Sequence, residues 1–326
     1  MSKAGISILE GVRAYRRSNN GQWLAQALNR FDEETQTFIN YWFHPDAQGE
    51  LLTLLELIAQ IEDEHIRAFF EVTLSSIIIT KSGGVSLAFD LAHTRPHKVK
   101  DKAYRSPVKE FEKRLQRNFE SLRALPPAGN PPIVSFGNAQ SLPLQSNAID
   151  LIITSPPYAS NAIDYMRAHK FSLVWFGHRL PYLTQLRSQY IGEEVTKGFA
   201  FEPPPPQTET AIRQVAALDA KKAQVLSRYF SEMTRVIREM YRVLKPGKAA
   251  IVVVGSSNMR GVDTQTQTCL AEIGEQIGFE VPHIGVRQLD RRMMPVTRRR
   301  NHDSQIEKRM HEEYVIGFYK PLVEGS

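Results

Sequence analysis

Ser155-Pro156-Pro157-Tyr158 is the stretch of this chain best equipped for chemistry. It follows Ile149 to Ile153 and Thr154, a mostly apolar run that reads as a buried strand. Each proline fixes φ at about −65° and removes an N–H. Each also holds the residue before it extended. The carbonyls of Ser155 and Pro156 are therefore kept out of helical bonding and left as acceptors at the strand end. The Ser155 hydroxyl and the Tyr158 ring join them there. Such a set can grip a flat ring and take hydrogen bonds from its amino group. An exocyclic amine on a nucleobase is a poor nucleophile, because its lone pair is delocalised into the ring. Acceptors that hold its protons help the nitrogen become tetrahedral, and it can then attack a methyl sulfonium. Catalysis of this kind works by positioning and charge stabilisation rather than by a strong base. A base inside a duplex is out of reach and must be flipped out and stacked, with Tyr158 as the platform. Read without that chemistry, the tetrapeptide is a proline-rich turn and Tyr158 is ordinary packing.

The elements around it must form a strand end and hold it. The chain has 326 residues, 42% hydrophobic and 23% charged, which suits one large domain or two ordinary ones. A net charge of +6 fits an anionic partner such as nucleic acid, and equally a basic soluble protein without one. One cysteine, Cys269, excludes an intramolecular disulfide and a cysteine-rich zinc site, and makes a cytoplasmic location the default. No apolar run approaches the roughly 18 residues of a membrane span, and Met1 to Gly5 does not lead into a signal-peptide core.

Residues 1–128 read as a helical region. Apolar residues recur at helical spacing from Leu51 to Ile61 and again through Ile66, Phe69, Phe70 and Leu74, with Asp63 and Glu64 in the second run's first turn. Lys81 to Gly84 breaks that run. From Ser106, the residues Val108, Phe111, Leu115, Phe119 and Leu122 form one stripe. The proline-rich segment Pro126 to Pro132 reads as a linker. Residues 129–326 alternate strand and helix. Ile133 to Phe136 is a short strand ending at Gly137-Asn138-Ala139, and Leu151 to Thr154 is the next. A helix runs from about Lys222 to Leu244, stopped by Lys245 to Lys248. Ala249 to Gly255 is a continuous apolar strand of the kind covered on both faces. A helix over Thr264 to Ile277 ends at Gly278, and Tyr314 to Tyr319 pairs with a strand near Ile284 to Leu289. This pattern predicts an α/β, doubly wound open sheet. Residues 180–214, with Pro203 to Pro206 and little periodicity, read as a loop insertion, either a lid or a disordered segment.

Asp150 to Tyr158 resembles the catalytic motif of S-adenosylmethionine-dependent DNA amino-methyltransferases. The Ser-Pro-Pro-Tyr form is typical of those acting on cytosine N4. The resemblance extends over much of residues 133 to 320, including Arg242-Val243-Leu244-Lys245-Pro246-Gly247 before an apolar strand. It implies a Rossmann-like methyltransferase sheet and methylation of an exocyclic base amine in DNA, most readily cytosine N4. Adenine N6 or a base amine in RNA remain alternatives. It assigns Ser155, Pro156, Pro157 and Tyr158 to catalysis, and Asn138, Ala139 and Thr154 to the cofactor. Gly137-Asn138-Ala139 stands where the family often has Gly-Asp-Ala, and the Asn138 amide oxygen could accept from the cofactor's adenine amine as the acidic side chain does. By its residue type alone, Asn138 is equally a turn former.

The family's glycine-rich cofactor turn depends on close backbone approach at a helix N-terminus, yet this chain contains no Gly-x-Gly. The expectation is an incomplete sheet. A second polypeptide supplies the cofactor loop, or the chain is an inactive nucleic-acid-binding remnant. Residues 1–128 then resemble an insertion of the target-recognition type.

Between Arg287 and Arg300 lie six arginines, Arg287, Arg291, Arg292, Arg298, Arg299 and Arg300, opposed only by Asp290. They are candidate phosphate contacts, or else a solvated loop. His93, Arg95, His97, Lys98, Lys100 and Lys102 form a second basic stretch, either tracking a backbone or forming a soluble linker. Asn161, Asp164, Tyr165, Arg167 and His169 could line a base pocket, though such residues are more often caps or helix surface. His93 and His97 have helical metal-pair spacing, but Pro96 opposes that helix and no metal is expected.

Overall fold

The structure, a computed structural model, describes residues 10–11, 21–80, 84–89, 96–99, 101–126, 129–130, 132–159, 165–255, 257–289 and 312–322. It divides into two compact units. The first comprises residues 1–132 with 164–187, the second residues 133–163 with 188–326.

The first unit holds helices α1 (Gly21–Leu28), α2 (Glu33–Trp42), α3 (Pro45–Ala59), α4 (Glu64–Ile78) and α5 (Pro107–Arg123), with a small ladder of β1 (Ala88–Phe89) and β2 (His97–Lys98). Asp63 caps α4, accepting from the amides of His65 and Ile66. Glu50 on α3 clamps the start of α5, accepting from Ser106 Oγ at 2.6 Å, Tyr104 Oη at 2.8 Å and the Val108 amide at 3.0 Å. Two later helices belong here as well, α6 (Tyr165–Leu173) and α7 (Leu180–Arg187). Phe171, Trp175 and Leu183 are buried in the same core as Leu51, Phe70 and Phe111.

The second unit is built on β3 (Ile149–Thr154), α8 (Pro206–Ala216), α9 (Ala220–Val243), β4 (Leu244–Gly255), the hairpin β5 (Asn258–Met259) and β6 (Val262–Asp263), α10 (Thr266–Ile277), β7 (Ile284–Gln288) and β8 (Glu312–Tyr319). The sheet order is β3-β4-β8-β7. Only β3 and β4 are parallel, and β8 runs antiparallel to both β4 and β7. The sheet is therefore partial and mixed. Ala250, Val252, Val254, Ile316 and Phe318 are buried on one face against the α9 stripe of Phe230, Met233, Val236, Ile237 and Met240. α10 lies so close to β8 that a Cβ on Gly274 would stand 2.2 Å from the Phe318 ring.

The long helix, the apolar strand after it and the pairing of β7 with β8 match the sequence expectation, and three details differ. Ile133 to Phe136 forms no strand. A strand needs a neighbour for its ladder, and the described residues give this segment none. The face of β4 opposite the core is not covered as its continuous apolar run suggested. Ala249, Ile251 and Val253 are only half-buried, and their β3 neighbours Leu151 and Ile153 are 54% and 70% exposed. Residues 180–214 contain α7 and α8 rather than loop alone. The buried pair Arg228–Glu232 on α9 holds this segment, because Arg228 donates to the carbonyls of Ser188 and Val195 and Glu232 accepts from the Gly192 amide. Thr208 bonds Glu272 of α10 at the start of α8. Those anchors lie far along the chain, so local periodicity does not reveal them.

The entry to β3 is pinned by the last turn of α9. Glu239 Oε2 accepts from the Leu142 amide at 2.8 Å, and Arg242 donates to the carbonyls of Leu142 and Leu144. Asn147, at φ 56°, donates its amide to the Arg242 carbonyl. The buried Lys320 ammonium donates to Asn147 Oδ1 and to the carbonyls of Tyr241 and Leu244. Lys320→Met would strand buried acceptors, and a loss of about 2–4 kcal/mol is expected in urea denaturation. The Glu239 carboxyl is lowered from its ordinary 4.5 to about 2, first by its hydrogen bond to Arg242. A depressed carboxyl contributes stability that is present above its unfolded pKa and is lost as pH falls through the folded one. Glu239→Gln should therefore flatten the loss of stability between pH 4.5 and about 2 relative to wild type; identical acid limbs would contradict the assignment.

Candidate active site

After a register shift between Ile149 and Leu151, β3 runs in register with β4 from Leu151 to Thr154, which lies opposite Val252. The prolines then carry the chain off the ladder. Ser155 is exposed, Pro156 buried, Pro157 and Tyr158 half-buried, and Ala159 is sealed into the core. Among the described residues no backbone N–H donates to the carbonyl of Ser155 or Pro156. The turn thus presents acceptors at the carboxyl end of a parallel strand, the usual place for ligands in open α/β sheets.

Tyr158 is tethered. Its hydroxyl donates to Glu313 Oε1 at 3.2 Å. Glu313 lies opposite Gly255 at the end of β4 and opposite Arg287 on β7, and Arg287 pairs with its other oxygen. Three elements far apart in sequence therefore fix the phenol. Burial raises the Tyr158 pKa above its ordinary value, a hydrogen bond with Ser155 works against this, and the Glu313 carboxylate adds to it. Behind the turn are two more groups that burial keeps neutral. Tyr229 is fully buried and its phenol is driven well above the ordinary range, first by desolvation and then by its proximity to Tyr158 and Cys269. The Cys269 thiol is pushed up to about 11, chiefly by burial.

The remaining expected site residues lie as follows. Asn138 spends its side-chain oxygen on the Gln140 amide at 3.0 Å and bridges to Ser141, which is the turn-forming use of this residue. Ala139 is exposed, and Thr154 is the half-buried last residue of β3. Among the described residues no hydrogen bond joins Asn138 or Ala139 to the Ser155–Tyr158 turn. Arg287 does not stand free, since it completes the tether through Glu313. Arg291, Arg292, Arg298, Arg299 and Arg300 lie outside the described residues, as do Asn161, Asp164, His93, Arg95 and Lys100. Tyr165 and His169 are ring neighbours, centroids 6.3 Å apart, on α6 of the first unit. Lys102 is turned inward onto the carbonyls of Ser86 and Ala88, and burial lowers its pKa to about 8. Among the described residues no group of three or more metal-ligating side chains occurs, and no helix is long and apolar enough to cross a membrane.

A family model described as DNA methylase, for N6 and N4 amino-methyltransferases, matches residues 149–315, from the first residue of β3 into β8. The chain belongs to the N6/N4 DNA methylase family. It is 21% identical over 296 residues to the Type II methyltransferase M.MvaI of Kocuria varians, covering 85% of this chain and 64% of that protein. It is 30% identical over 158 residues to the Type II methyltransferase M.AvaI of Nostoc sp. strain PCC 7120, covering 41% of this chain and 32% of that one. The chain thus spans less than two-thirds of either relative's length. A solved DNA modification methylase from Thermus thermophilus is 15% identical, at a TM-score of 0.31 over 58% of this chain and 54% of that one.

The described residues do not by themselves make a cradle for a methyl donor. Among them no glycine-rich turn follows a strand, Asn138 bonds its own loop, and a Cβ on Gly137 would meet nothing nearer than Pro143 Cδ at 3.7 Å. The Tyr158–Glu313 bond can be tested directly. In Glu313→Ala the phenol of Tyr158 should ionise at lower pH than in wild type, with burial's share of the shift remaining. ¹³C NMR of ring-labelled tyrosine, assigned with Tyr158→Phe, would read this, and an unchanged titration would show that the bond does not form.

Proposed function

We propose that this chain takes part in methylating an exocyclic base amine in DNA, with cytosine N4 as the target. The observation that carries this reading is the turn itself: the Ser155 and Pro156 carbonyls lack backbone donors among the described residues, and Tyr158 is fixed beside them through Glu313. S-adenosylmethionine, when bound, supplies the methyl group as a sulfonium. The chain's own residues act on the base. Tyr158 stacks the flipped ring, and its tether keeps it from swinging away. The Ser155 hydroxyl and the two carbonyls accept from the amine hydrogens, which localises the nitrogen lone pair for attack. With the donor bound, formation of the N–C bond would break its C–S bond, sulfur keeping the electron pair, and the proton lost from the nitrogen would pass by way of the Ser155 hydroxyl to water, the carbonyls serving only to orient the amine. Ser155 as first residue of the motif favours cytosine over adenine. The Type II relatives are consistent with DNA as the substrate, and the basic run after Arg287 supplies candidate phosphate contacts. The cofactor roles of Asn138, Ala139 and Thr154 belong to this proposal.

The test is transfer of labelled methyl groups from S-adenosylmethionine to DNA by the complete enzyme. Tyr158→Ala and Ser155→Ala should each lose about 10²-fold or more in kcat, the size of effect expected when a reacting group is misplaced, without loss of folding. Tyr158→Phe should lose less, since it keeps the ring and gives up only the tether. Wild-type turnover in both alanine variants would overturn the reading.

A further inference from the structure

We infer that the helical first unit holds a binding site for a single unpaired nucleotide. The site is a cavity of about 220 Å³. Every residue that lines it belongs to the first unit, so the inference does not rest on the proposed methyl transfer. Its apolar part is formed by Phe31, Ile58 and Trp175, all buried. Phe31 and Trp175 meet edge to face, with centroids 6.0 Å apart and planes at 88°. A corner of two perpendicular rings offers a flat face to a third. Drug-sized ligands occupy pockets of about 300–1,000 Å³. This cavity is smaller and suits a ring with a short substituent rather than a peptide.

The polar groups of the cavity have unmet hydrogen bonding. The Trp175 indole N–H is buried and has no hydrogen-bond partner among the described residues. A buried donor in that state is unfavourable unless an acceptor reaches it. Glu71 on α4 is half-buried, and no described residue donates to its carboxylate. Arg30 comes no closer to a carboxylate than 3.9 Å, at Glu56, and Arg179 no closer than 4.0 Å, at Asp32. Both distances exceed a hydrogen bond. Asp32 is already spent, because it caps α2 by accepting from the Thr35 amide and hydroxyl, each at 3.0 Å. One neutral donor, one carboxylate and two guanidinium forks therefore surround a flat apolar wall.

The kind of ligand follows from that set. A hydrocarbon would leave all four groups unmet. Bare phosphate would use the arginines alone and face Glu71 as a like charge. A metal ion would find one available carboxylate beside two cations. A nucleotide matches each part. Its base lies against the aromatic corner, a ring carbonyl or ring nitrogen accepts from the indole, and an amino or imino N–H donates to Glu71. Its phosphate takes the guanidinium forks. In a duplex those base edges are already paired, so the nucleotide is an unpaired one in a DNA strand or a free one.

The test uses the full chain. Binding is measured by calorimetry, and the Trp175 indole N–H is followed by ¹⁵N NMR, assigned with Trp175→Phe. Deoxynucleoside monophosphates should bind and shift that resonance. Glu71→Gln and Arg179→Met should each weaken binding about tenfold or more, as for loss of a charge-assisted hydrogen bond. Their melting temperatures should match wild type, since neither side chain is hydrogen-bonded in the fold. Inorganic phosphate should leave the indole unmoved. A shift with a duplex carrying one unpaired nucleotide, and none with the fully paired duplex, supports the site and assigns it to DNA. A shift with monophosphates alone supports the site and assigns it to free nucleotides. The inference is overturned if neither shifts the indole, if phosphate binds as tightly as the nucleotides, or if both variants bind like wild type. Tyr158→Ala should bind nucleotide here unchanged, so failure of methyl transfer and failure of this site are read separately.

Discussion

Pro156 and Pro157 impose the constraint on which the site depends. They follow directly after a strand that is already hydrogen-bonded to β4, and neither has an amide hydrogen to continue the ladder. The ladder must stop at Thr154, and among the described residues no backbone amide donates to the carbonyls just beyond it. A turn of this stiffness is useful only if its surroundings hold the strand end still. The structure does so from both directions. Lys320 and the last turn of α9 fix where β3 begins, and Glu313 on the last strand fixes Tyr158 where β3 ends. The position of the acceptors is therefore a property of the whole second unit rather than of four residues.

Much of this is legible in the sequence because it is local or periodic. The α9 stripe and the apolar run of β4 follow from spacing, and Asp63 and Ser106 stand where helix starts were read; the helices form close to their expected bounds, while β4 begins at Leu244 rather than at Ala249. The Ser155–Tyr158 turn is legible for the same reason, since its physics lies in two adjacent prolines. What stays hidden is long-range. Nothing near Tyr158 announces Glu313, 155 residues away. Nothing in residues 188 to 195 shows that a buried Arg228–Glu232 pair will hold their backbone. Arg287 is instructive in the opposite sense. As one arginine in a basic run it reads as a phosphate contact, yet in the fold it faces a carboxylate across a strand pair.

The sheet departs from expectation in one consistent direction. Ile133 to Phe136 should be a strand and lacks a sheet, and β4 should be covered on both faces and is covered on one. Among the described residues β3 is an edge, in keeping with the incomplete sheet expected. Local propensity specifies a larger sheet than the described residues complete.

The central claim is that the Ser155–Tyr158 turn handles an amine. Nucleoside mass spectrometry of DNA from cells producing the protein tests it most directly. The account predicts a new methyl group on an exocyclic nitrogen, as N4-methylcytosine, present with wild-type protein and absent with Tyr158→Ala. A methyl group on a ring carbon, or none with the wild-type protein, would contradict it.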